Sequence, residues 1–174
     1  MHSNRTAALA ALVLAGSMPL VAQDPATCPM HAKHMGETER KSKVDERGDH
    51  VMGFDHTRTG HHFLLRPDGG VIEVTAADAA DRESIAAIRR HLEQVAVSFR
   101  AGDFEMPMLI HGKTPPGVPE LQRLKTEVVY AVEPVEKGAR VKITAKGRDA
   151  LAAIHAFLKF QIEDHRTGDP TAVK

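Results

Sequence analysis

Five side chains able to hold a soft metal ion fall within eight residues of one another: Cys28, Met30, His31, His34 and Met35. A thiolate, two thioethers and two imidazoles make a donor set suited to Cu(I), with zinc as the second choice. A second cluster runs from His56 to His61 and His62. On a strand, neighbouring side chains point to opposite faces, so one of His61 and His62, rather than both, can join a single site. His111 closes the Met106-Pro107-Met108-Leu109-Ile110 run and opens a proline-rich loop, a good place to present a ligand. Met106 and Met108 would share one strand face and could add thioethers, although methionines at that spacing more often pack in a core. His155 sits four residues after Leu151 and three before Leu158, on an apolar stripe. A histidine buried there must be hydrogen-bonded or metal-bound to offset its desolvation. His165 lies ten residues further on, close to three helical turns, and so roughly on the same face. His91 borders the stripe of another helix and reads as structural.

These donors stand out against a plain background. The 174 residues suffice for one ordinary domain and are too few for a two-domain enzyme. Lys plus Arg and Asp plus Glu both number 23, so no basic surplus points to nucleic acid. Six Phe, one Tyr and no Trp leave no aromatic platform for stacking bases. Eleven His and seven Met accompany a single Cys. Familiar catalytic signatures are missing: there is no H-E-x-x-H, G-x-S-x-G or Cys-x-x-Cys. Gly112-Lys113-Thr114 imitates the end of a phosphate-binding loop, but Pro107 stands where the first Gly belongs, and Pro115-Pro116 blocks the helix that must follow. A blue-copper arrangement fails because the one Cys precedes the folded region.

Residues 1–22 carry Arg5, then the apolar run AALAALVLA, then a Gly16, Ser17, Pro19 break and a small Ala22. This pattern predicts a cleavable signal peptide and hence a periplasmic or secreted protein. The run is shorter than the roughly 20 residues that span a bilayer. Residues 23–49 are polar and charged, without apolar periodicity, and are expected to form a flexible His/Met/Cys-containing arm. Order is expected from about His50, giving one α+β domain over residues 50–174. Within it, HHFLL and VIEVT flank a Pro67-Asp68-Gly69-Gly70 turn, and residues 78–99 read as a helix with Ile85, Ile88, Leu92, Val95 and Phe99 inward and Gly102 at its end. EVVYAVE and RVKITA flank a second turn, followed by a helix over residues 149–164 with Leu151, Ile154, Leu158 and Ile162 inward. Val74-Thr75-Ala76 aligns with Ile143-Thr144-Ala145, and Ile85-Ala86-Ala87-Ile88 with Leu151-Ala152-Ala153-Ile154. The pattern predicts a duplicated β-β-α unit: an antiparallel sheet of at least four strands with two helices on one face. Residues 104–110 could add a strand, and residues 112–119 a rigid loop.

Two resemblances follow from particular residues. Cys28-Pro29-Met30-His31 resembles the CPMHP heavy-metal-binding stretch of copper-efflux proteins, with Ala32 in place of the last Pro. MGFDHTRTGHHF, HGKTPPGVPELQRLK and AIHAFLKFQIEDHRTGDP, spread over residues 52–170, resemble a group of small exported bacterial proteins, some of which carry an aspartate carbamoyltransferase label. That resemblance implies export. It supplies no mechanism, since a transcarbamoylase needs a larger two-domain chain and cytosolic carbamoyl phosphate. The leading expectation is an exported transition-metal protein, for copper first, that stores, delivers or detoxifies the ion. A second is a small metal-dependent enzyme using three imidazoles to activate water or oxygen, with Glu163 and Asp164 as orienting or acid–base groups. A third is a dimeric α+β module for a small ligand. The partners expected are thus a metal ion and, in the third case, a second copy.

Overall fold

The computed structural model describes residues 29–173 of the chain. Four strands form one antiparallel sheet: β1 (Thr59–Arg66), β2 (Gly69–Ala76), β3 (Val128–Val135) and β4 (Gly138–Ala145), in the order β1-β2-β4-β3. Two hairpins are therefore joined through their second strands. The helices are α1 (Pro29–Met52), α2 (Arg82–Ala101), α3 (Glu105–His111), α4 (Val118–Arg123) and α5 (Arg148–His165). The α+β class and the four-stranded antiparallel sheet are as the sequence implied. No helix among the described residues is long and apolar enough to cross a membrane.

Strand alternation builds the core. Phe63, Ile72, Val141 and Val132 lie opposite one another across the sheet, as do Leu65, Gly70, Ile143 and Tyr130. Ile85, Ile88, Leu92, Val95 and Phe99 of α2 and Ile154, Leu158 and Ile162 of α5 belong to the same buried cluster. Local chemistry fixes the helix ends. Asp81 accepts a hydrogen bond from Ser84 N to start α2, and Gly102, at φ 83°, ends it. At Gly70 a Cβ would stand 2.1 Å from Leu158 Cδ1, so the missing side chain lets α5 seat directly on β2. Each hairpin turn is also held from a helix. Arg89 donates to Gly138 O and Val135 O, and His155 Nε2 lies 2.9 Å from Arg66 O and 3.0 Å from Gly69 O.

Two expectations are corrected. Order begins well before His50, because Pro29–Met52 is helical. Its buried residues Val44 and Gly48, with the half-buried Met52, recur at every fourth position, so a narrow stripe docks the helix. Charge pairs one turn apart, Glu39 with Lys43 and Lys41 with Asp45, brace the rest. Residues 104–110 form no strand: Glu105–His111 is a helix. Asp103 accepts from Glu105 N at its start, Pro107 falls in the first turn, where it is tolerated, and Gly112 at φ 63° ends it.

Candidate functional site

The docking of α1 against the start of β1 and the end of α5 gathers histidines. His61 begins the inward face of β1, His165 closes α5, and their rings lie parallel with centroids 5.9 Å apart. His111, the last residue of α3, stands edge-on to His165 at 5.0 Å. Phe54 packs against both His61, at 6.1 Å, and His91 of α2, at 5.6 Å. Desolvation is the main cause that drives all four imidazoles well below the ordinary histidine range. His61, His91 and His111 fall to about 4 and His165 to about 3. At neutral pH they are uncharged, the state in which imidazole can ligate a metal.

Two cavities meet along this row. One, of about 70 Å³, is apolar and reaches from Met106 and Phe99 to His91, His111 and His165. The other, of about 160 Å³, opens between α1 and β1, and His61 and His165 line both. Met52, Asp45 and His56 also line the second. Across its wall His61 Nε2 stands 3.3 Å from Met52 Sδ.

His111 is otherwise engaged. Its side chain is 1% exposed and that of Asp164 is 3% exposed, and Nδ1 donates to Asp164 Oδ2 at 2.6 Å. The other carboxylate oxygen takes Arg40 of α1. A neutral ring has one proton, so His111 Nε2 is an acceptor facing the Gln161 amide at 2.9 Å. With Oε1 towards the ring, the buried Gln161 Nε2 has no partner. Turning the amide over lets that nitrogen donate to the ring and satisfies both groups. Asp164 thus orients the imidazole.

The remaining sequence candidates go elsewhere. His62 points away from His61, as alternation requires, and meets Asp169 Oδ1 at 3.0 Å. Partial burial of Asp169 works against its ionisation, but hydrogen bonds from Thr167, Phe63 N and His62 outweigh this and hold the carboxyl below its usual range. His155 is half-buried, and its Nε2–H is shared by the two carbonyls of the β1–β2 turn; it is a tie between α5 and the hairpin. His155→Ala should lower stability by about 1 kcal/mol in urea unfolding and leave metal binding unchanged. Met106 lines the apolar cavity, while Met108 is exposed. Glu163 is exposed at the surface. Cys28 and residues 1–22, where a signal peptide is expected, lie outside the described residues, as do the side chains of Met30, His31, His34 and Met35, whose backbone belongs to α1.

One participant was missed from sequence, Met52, since only the docking of α1 brings it to His61; His56 stood in the second cluster but was not singled out as a ligand. Among the described residues, one trio of potential ligands, Asp49, Asp55 and His56, has donor atoms within 4.8 Å of one another. Those groups already have local duties. His56 N donates to Asp49 Oδ1, His56 Nδ1 meets Asp49 Oδ2, and Asp55 Oδ1 accepts from Thr57 N and Oγ1 to start the short 3-10 turn His56–Arg58. No trio of histidines meets the same distance criterion among the described residues.

No family model matches the chain, and neither a curated protein nor a solved structure matches it.

Proposed function

We propose that the protein binds a transition ion, copper(I) first and zinc second, and serves its storage, delivery or detoxification outside the cytoplasm. The observation that carries this reading is the pair His61 Nε2 and Met52 Sδ, 3.3 Å apart on the wall of a cavity. Nitrogen and sulfur ligands at about 2.0 and 2.3 Å from one ion, at a tetrahedral angle, stand roughly 3.5 Å apart. The pair therefore needs little rearrangement to share an ion. Imidazole with thioether is a soft donor set, favouring Cu(I) over harder cations. His165 and His56 line the same cavity and are the candidates to complete the coordination.

The N-terminal donors fit a capture role. Positions 30 and 34, and 31 and 35, are each one helical turn apart on the backbone of α1, the helix that ends at Met52. One helix would then link a capturing segment to a retaining cavity. Export rests on the pattern of residues 1–22 and on the resemblance to exported proteins. An enzyme reading has less support: the His111–Asp164 pair has the geometry of an acid–base couple, but both ring nitrogens are occupied and the ring is buried. The reading is tested by cuprous titration of the metal-free chain against the Met52→Leu, His61→Phe double variant.

A further inference from the structure

Four cations gather at a cavity on the far side of Asp164 and Phe160 from His111. A cavity of about 430 Å³ opens beside the last turns of α5, where α1 and the loop after α3 approach it. Arg40, Lys41, Lys113 and Arg166 line it, against two acids, Glu163 and Asp164. Both Asp164 oxygens are engaged, one with Arg40 and the other with His111. Lys41 is turned to Asp45. Lys113 meets no carboxylate among the described residues; its Nζ stands 4.7 Å from the centroid of the Phe160 ring, over the aromatic face. Burial, and then the charge of Arg40, hold the Lys113 ammonium below the ordinary lysine value, which places the two cations within reach of one another's field. Arg40 uses one terminal nitrogen on Asp164, and a guanidinium has further N–H donors to offer.

We propose that this cavity is a binding site for a small polyanion, held through carboxylate or phosphate oxygens by Lys113 and Arg40. The cations converge from three parts of the chain, α1, the loop after α3 and the end of α5, so a multiply charged ligand can meet several at once. The volume lies within the range of small-molecule pockets and exceeds what a single chloride needs. Such binding weakens with salt, because the site is open to solvent. The site is independent of the metal reading: no residue of the His61–Met52 pair lines it.

The test is calorimetric titration of the full chain, stripped of metal on an immobilised chelator, with citrate and with pyrophosphate, and with sodium chloride at matched ionic strength. Wild type is expected to bind citrate, pyrophosphate or both saturably, and chloride not at all. Binding of citrate alone identifies carboxylate as the recognised group, and binding of pyrophosphate alone identifies phosphate. Lys113→Glu should weaken binding at least tenfold, and Lys113→Arg less than threefold. Lys113 is exposed, so circular dichroism and the thermal transition should be unchanged; Lys113→Met repeats the test without adding a negative charge. Absence of saturable binding by either polyanion, or wild-type affinity in both Lys113→Glu and Lys113→Met, would overturn the proposal and leave the cations as partners of the negative end of α5.

Discussion

Acidified from pH 7, the protein should lose stability steeply below pH 6.5 and unfold before pH 4. The unfolded chain takes up protons on histidine at about pH 6.5, whereas in the fold His61, His91 and His111 wait until about 4 and His165 until about 3. Between those limits the unfolded state binds more protons, so stability rises with pH and falls as pH drops through the window. Each imidazole alone contributes about 1.4 kcal/mol per pH unit. Even one or two acting fully would consume much of the roughly 5–15 kcal/mol that holds an ordinary domain together. The carboxylates with lowered values, Glu39, Asp55, Asp81 and Asp169, act mainly at the acid end of this window and below it. Urea unfolding at pH 7, 6 and 5 measures the slope, and His91→Leu, which removes one half-buried, desolvated imidazole beside Phe54, should make it shallower. A midpoint unchanged from pH 7 to pH 5 would show that these rings are protonated in the fold.

Asp164→Ala should destabilise the protein by about 3 kcal/mol, the largest loss expected from one substitution near the site. The carboxylate joins three elements: it sits on α5, receives Arg40 from α1 and orients His111 at the end of α3. Its removal strands the His111 Nδ1–H in a buried position and frees the helix that supplies Met52. Asp164→Asn keeps an acceptor oxygen for His111 and loses only the charge towards Arg40, so about half that loss is expected. Denaturant unfolding at pH 7 decides it. A change below about 0.5 kcal/mol in the alanine variant would mean that α1 docks without this junction.

The elements with strong periodicity were legible in the sequence. The five-residue apolar stripe of α2 buries one face, and burial is what periodicity records; the apolar runs around the two Gly-containing turns marked the strands. Helix α1 was not, because its buried stripe is only one residue wide and its remaining support is charge pairing, which looks like a solvated arm to a search for apolar repeats. The 104–110 segment alternates Met, Pro, Met as a strand would, and the hydrogen bond from Glu105 N to Asp103 and the positive-φ Gly112 were the signals that decide for helix. At the site, the opposite directions of His61 and His62 followed from strand geometry alone. His155 was placed correctly on its helix, but its partner is a pair of backbone carbonyls on a distant hairpin, which side-chain identities do not reveal. Met52 reaches His61 through tertiary docking of a helix the sequence did not announce, so its part in a donor set could not be read beforehand.

The most direct measurement is the affinity of the metal-free, untagged chain for Cu(I) under reducing conditions, in competition with a chromogenic cuprous chelator. Wild type should hold the ion through dialysis. The Met52→Leu, His61→Phe double variant should lose about 100-fold in affinity at the folded site, at the upper end of what the loss of a merely orienting partner costs. Retention of neither copper nor zinc by the wild-type chain, or an undiminished affinity in the double variant, would contradict the account.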